Sequence, residues 1–250
     1  LKPATLAALL AVMPAAMPAA MPLAAPLVAQ SAPPPAMKEG AQPAAAAPAD
    51  LALLPMRNAR EFICPDGQLV TIEHDEPAGI LRGIRAGETF TLLAQVGRTP
   101  PRFVMGSDSV DLAPDSIILR RGREARQTCP EKPATPTAGT VWGTLTKLDR
   151  MALPPGTRAK VLLVDTARAD APAVELGSTQ ITSTGNQVPL WFLVRHDPAR
   201  LAAPARPTLQ ARIEDAKGKL LYITDTANPI PNDSPAPSPV ELRLVPVPRQ

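Results

Sequence analysis

Proline limits what this chain can fold into more than any other residue type. It fills 33 of 250 positions, and each one fixes φ at roughly −65° and removes a backbone donor. Pro14, Pro18, Pro22 and Pro26 recur at four-residue spacing, which breaks any helix that would span a bilayer. No later stretch approaches the ~18 uninterrupted apolar residues that a spanning helix needs, so no transmembrane helix is expected. The apolar content of the first fifty residues is mostly alanine, and aromatics make up only 3% of the chain. The large apolar side chains lie further on, and they suit two modest cores better than one large one.

The segment ahead of those cores divides in two. Leu1-Lys2 followed by Leu6 to Met13 has the pattern of a basic n-region and a short apolar h-region, and Leu27-Val28-Ala29 offers a small-residue cleavage site before Gln30. Residues 1–29 therefore read as a signal-peptide-like leader, although the composition also suits a disordered Ala/Pro linker that happens to begin the chain. Residues 30–58 are rich in Ala and Pro, the composition of a disordered, partly extended linker.

From Arg60 the texture changes to short runs of β-branched and aromatic residues separated by turn signals. Pro65-Asp66-Gly67 is a tight turn between Phe62-Ile63-Cys64 and Leu69 to His74, because proline presets φ and glycine supplies a positive one. Further strands are expected at residues 80–85, 89–95, 102–105 and 117–121, with a last one from Arg123 to Cys129. Residues 59–130 thus form a small closed barrel. Its two cysteines, Cys64 and Cys129, bracket the module and are the only two in the chain, as expected for one structural disulfide in an oxidising compartment. Such a bridge closes a loop of about 65 residues and is worth ~4 kcal/mol. A metal-binding pair is the competing reading, but His74 and His196 fall in different modules without CxxC or HxxxH spacing, so no metal is expected.

Residues 131–138, with Pro133 and Pro136, form a linker. Residues 139–247 carry seven expected strands, at 139–147, 159–166, 174–181, 188–194, 208–214, 219–224 and 240–245, which suggest a sandwich. The fold class is therefore all-β: a small disulfide-closed β-barrel followed by a β-sandwich, preceded by a disordered Ala/Pro-rich leader and linker. Trp142 and Trp191 sit in strand patterns and read as core, with a partner groove as the other reading.

Several function classes are excluded. The net charge is only +3, and the arginines are scattered without interleaved aromatics, so nucleic-acid binding is not expected. Asp165 and Asp170 lie near a strand end and its turn, where carboxylates cap backbone donors. Ser178, Thr179, Thr182 and Ser183 have no histidine neighbour in sequence, so no hydrolase triad is expected. A Gly-rich phosphate loop is absent. The chain reads as a non-catalytic binding protein with no cofactor. Export to the periplasm fits the leader and the cysteines, and a lipid anchor is not expected because neither cysteine lies near the leader. Nothing in the sequence sets the oligomeric state.

Two resemblances sharpen this reading. Phe62-Ile63-Cys64-Pro65-Asp66-Gly67, Glu88-Thr89-Phe90, Leu119-Arg120-Arg121-Gly122-Arg123-Glu124-Ala125 and the closing Cys129 resemble the framework of the membrane-bound inhibitor of c-type lysozyme (MliC-like) family. In that family a serine loop and a lysine enter the lysozyme cleft. Here Thr99-Pro100-Pro101-Arg102-Phe103 stands at the loop and Arg121 at the lysine. The resemblance implies that Thr99, Arg102, Phe103 and Arg121 contact a c-type lysozyme or another peptidoglycan-cleaving enzyme. The alternative is that Arg120, Arg121 and Arg123 merely decorate an exposed strand. In the second module, Val141-Trp142-Gly143-Thr144-Leu145, the run from Leu153 to Pro172, Val188-Pro189-Leu190-Trp191-Phe192 and Ala211-Arg212-Ile213 resemble the YbaY/YscW-type lipoprotein family. Some of its members are pilotins that help outer-membrane secretins assemble. That resemblance implies a different role, an envelope assembly or secretion-chaperone factor acting on a secretion component.

Overall fold

The computed structural model describes residues 56–232 and 238–248. The leader and nearly all of the Ala/Pro linker therefore lie outside the described residues. The first module is an up-and-down meander of β1 (Arg60–Ile63), β2 (Leu69–Asp75), β3 (Ile80–Arg85), β4 (Glu88–Gln95), β5 (Arg102–Met105), β6 (Asp108–Leu112), β7 (Ser116–Arg120) and β8 (Gln127–Pro130), each strand paired with the next. Alternation decides which side chains face inward. Val70 and Ile72, Phe90 and Leu92, and Ile117 and Leu119 are buried two apart on their strands, as a half-buried sheet requires. A bridge between Phe62 and Glu131 closes the barrel. Arg60 forks onto Glu131 at 2.8 and 2.6 Å across the same seam, and the Cys64–Cys129 disulfide spans it with Cα atoms 4.2 Å apart.

Two details differ from the sequence reading. Strand β6 was not expected, because its five residues include Asp108 and Asp111 and look like a turn. Their charges are met by arginines from neighbouring segments: Arg121 on Asp108, and Arg102 and Arg126 on Asp111. The last strand begins at Gln127 rather than Arg123. Gly122, with φ of 54°, and the Glu124 N–H donated to Arg121 O at 2.9 Å make the preceding segment a turn.

The second module contains all seven expected strands: β9 (Thr140–Lys147), β10 (Arg158–Asp165), β11 (Val174–Thr182), β12 (Leu190–Arg195), β13 (Pro207–Glu214), β14 (Leu220–Ile223) and β16 (Val240–Pro246). A two-residue β15 (Asn228–Pro229) and a short 3-10 helix (Pro198–Leu201), capped by Asp197, are additional. The order is β11-β10-β13-β14-β16-β9-β12, with β15 on β13. It forms two faces joined through Tyr222 with Pro246 and Ile223 with Val245, a nearly closed, barrel-like sandwich. Val161, Leu163, Leu190, Phe192, Leu209 and Leu242 fill it.

Strand β16 runs parallel to β9, with Val240 opposite Gly143. The approach there is close, since a Cβ at Gly143 would fall 1.9 Å from Val240 O. Gly143→Ala must therefore push two backbones apart. It is expected to cost about 3 kcal/mol, seen as a lowered midpoint in thermal unfolding.

Candidate functional site

The four residues expected to contact lysozyme are not gathered into one surface. Turns in a meander alternate between the two ends of the barrel. Thr99 lies in the β4–β5 turn, whereas Arg121 opens the β7–β8 turn, so the two sit at opposite ends. Arg102, at the Thr99 end, is paired with Asp111 at 3.4 Å. Phe103 is 1% exposed and meets His74 edge-on at 4.8 Å between ring centroids. It is a core residue, which corrects its assignment as a contact. Arg121 lies over the Phe90 ring at 4.4 Å and within 2.9 Å of Asp108. It borders a polar cleft of about 180 Å³ shared with Arg85, Glu88, Glu124 and, from the second module, Thr184 and Asn186.

The second module offers a more organised surface at the loop after β9. Lys147 ends that strand with its side chain only 3% exposed. Its ammonium donates to Asp149 Oδ1 at 2.5 Å, to Asp149 O at 3.2 Å and to Met151 O, and it lies 5.3 Å from the centroid of the Tyr222 ring. Asp149 Oδ1 in turn accepts from the Met151 N–H at 3.1 Å and the Tyr222 hydroxyl at 3.2 Å. The bond from Lys147, followed by those from Tyr222 and Met151, holds the Asp149 carboxyl below its ordinary value against the opposing effect of burial. A buried cation thus folds the loop around itself.

Beside this knot runs a groove of about 330 Å³ lined by Met151, Pro154, Leu220, Leu221, Tyr222 and Pro246. The groove is mainly apolar, with Asp215 and Lys219 also in its lining, and it opens to solvent: Met151 is 53% exposed, Leu220 37% and Leu148, next to Lys147 in sequence, 77%. The loop returns through Leu153, whose N–H and C=O are both held by the Gln187 side-chain amide at 2.7 and 3.2 Å. It then passes Gly156, whose N–H reaches Ser183 O at 2.9 Å. The sequence reading marked the Leu153 run but missed Lys147 and Asp149. Their spacing alone is that of any surface ion pair.

Asp165 behaves as a turn carboxylate, accepting from the Arg206 N–H at 2.7 Å and the Ala167 N–H at 2.9 Å. Those two backbone bonds lower its pKa.

Comparison with known proteins concerns this second module. The family described as "Type III secretion system lipoprotein chaperone (YscW)" matches residues 136–244. The "Uncharacterized lipoprotein YbaY" of Escherichia coli (strain K12) is 36% identical over 110 residues, which are 44% of this chain and 54% of that protein. The chain thus spans about half the length of this curated relative. A solved structure, an alternative pilotin from the type II secretion system of Vibrio cholerae, is 35% identical, with 43% of this chain and 96% of that one covered at a TM-score of 0.41. Among the described residues no helix is long and apolar enough to cross a membrane.

Asp149→Asn leaves the buried Lys147 ammonium with carbonyl acceptors only, and is expected to cost about 1–3 kcal/mol near neutral pH. Because the folded-state pKa of Asp149 is depressed, its contribution is present above the ordinary carboxylate range and is lost as pH falls through the folded value. Urea unfolding at neutral and acidic pH should therefore show the gap between wild type and variant closing on acidification. For the first module, the separation of Thr99 from Arg121 predicts that the purified chain leaves the rate of cell-wall lysis by c-type lysozyme unchanged. Dose-dependent slowing that Arg121→Ala removes would contradict this.

Proposed function

We propose that this chain is an envelope protein that serves as a chaperone or assembly factor for a component of a secretion machine, bound through the groove beside the β9–β10 loop. The observation that carries this reading is an apolar groove with an exposed Met151 and Leu220, held in shape by the buried Lys147 knot. It lies largely within the stretch that matches the secretion-chaperone family. Exposed apolar side chains over a rigid base are the usual ingredients of a protein-binding hot spot. The partner is an apolar segment of the secretion component, and the described residues supply adhesion and shape rather than chemistry. The lipoprotein descriptions of the matched family and relative support an envelope location.

The test replaces the groove and spares the fold. Met151→Asp with Leu220→Asp removes two partly exposed side chains, so the thermal midpoint should hardly move. Membrane assembly of the secretin in cells relying on this variant should fall at least tenfold, equivalent to about 1.4 kcal/mol or more of lost binding. Full assembly with the double variant, or in cells lacking the chain altogether, would sink the proposal.

A further inference from the structure

The outer face of β9 and β12 carries Trp142, Trp191 and Leu193, and the first module covers it within one compact unit. The contact centres on the Pro65-Asp66-Gly67 turn. Pro65 O accepts from the Thr182 N–H at 2.9 Å, Gly67 O accepts from the Trp191 N–H at 2.8 Å, and Asp66 O accepts from Asn186 Nδ2 at 3.3 Å. Thr182 ends β11 and Trp191 lies at the start of β12, the two terminal strands of the second sheet's order. The turn therefore satisfies donors on both edges that the sheet itself leaves open. Gly67 has φ of 80°, and a Cβ there would stand 3.0 Å from Ile181 and 3.1 Å from Leu190. Ile63 and Leu69, on either side of the turn, pack with the tryptophans and Leu193. Lys132 Nζ completes the contact, 4.0 Å from the centroid of the Trp142 ring.

Cys64 forms the base of this turn. Its N–H donates to Gln68 O and its carbonyl accepts from the Gly67 N–H, both at 2.9 Å. Its sulfur is bonded to Cys129 on β8. The disulfide also staples the β1–β8 seam, where the Phe62–Glu131 bridge is an isolated one. Both cysteines are buried, so a reductant reaches them only when that seam opens.

We propose that the Cys64–Cys129 disulfide is a redox latch on the docking of the two modules. Oxidised, it holds the turn in the form that fits between β11 and β12. Reduced, it lets β1 and its turn leave, and the tryptophan face opens to solvent. The reducing partner is a dithiol. One thiolate attacks a cysteine sulfur to give a mixed disulfide, and the second thiol displaces it, so that two electrons and two protons pass to the protein as two cysteine thiols and the dithiol leaves oxidised.

The chain supplies its own reporter, since its two tryptophans, Trp142 and Trp191, both sit at this contact. Tryptophan emission, acrylamide quenching and amide exchange are measured on the full chain, oxidised and after reduction with excess dithiothreitol. Gly67→Val with the disulfide intact is the second arm. Reduction should shift the emission to the red, raise quenching about twofold or more and strip exchange protection from the Thr182 and Trp191 amides, while the β10 and β13 amides stay protected. Gly67→Val should do the same without reductant. Unchanged emission and protection on reduction would overturn the latch. So would loss of β10 and β13 protection in the same step, which would make the disulfide a staple of the whole fold, or native emission from Gly67→Val.

Discussion

A buried carboxylate governs how the molecule hangs together. Asp66 is 2% exposed and sits at the tip of the first hairpin. Its carboxylate accepts from Arg85 on β3, from Gln127 on β8 at 3.4 Å and from the Gln68 N–H at 3.1 Å, while its carbonyl serves Asn186 of the second module. Burial alone would discourage the charge on Arg85, but hydrogen bonds to Glu124 and Asp66 outweigh it and raise its pKa. One acidic side chain thus fixes a turn against two strands of its own barrel and aims that turn's carbonyls at another sheet. A buried charge needs such partners, and this pairing ties the turn to the barrel, although Arg85 Nε itself is buried without a hydrogen-bond partner.

The two modules manage their strand edges differently. The first is nearly closed, its seam tied by the isolated Phe62–Glu131 bridge and by the disulfide. The second does not close by a ladder. Its parallel β16 inserts beside β9 through the opening at Gly143, and β11 and β12 are left as terminal strands. They come near each other at Gly177, whose Cβ position would lie 2.4 Å from Arg195 O. At their other ends the Pro65–Gly67 turn fits between them. Unpaired edges invite pairing with another chain, and here a loop of the same chain meets that need in part.

Much of this was legible in the sequence. Segments such as Leu209 to Ile213 alternate, because one face is core and the other is wet, and the sequence pattern places them to within a residue or two. The disulfide and the tight turn were also readable. The tryptophans were readable only as buried: their period gives the face, but which module covers it is a long-range fact that no local pattern carries. Lys147 was invisible for a related reason, since its burial depends on Tyr222, seventy-five positions away in the chain.

Strand β6 decides where the expected contact residues of the first module fall. Without β6, the segment ending at Arg121 counts as the sixth strand of the meander and ends where the β4–β5 turn lies, beside Thr99. With β6 in place it is the seventh and ends at the opposite pole. One strand thus reverses the sense of everything after it. That strand was hidden because Asp108 and Asp111 look like turn residues until their arginine partners are brought alongside. The same ion pairs that hold β6 in the sheet also engage Arg102 and Arg121. Among the described residues, the groove of the second module leaves Met151 and Leu220 exposed beside the Lys147 knot.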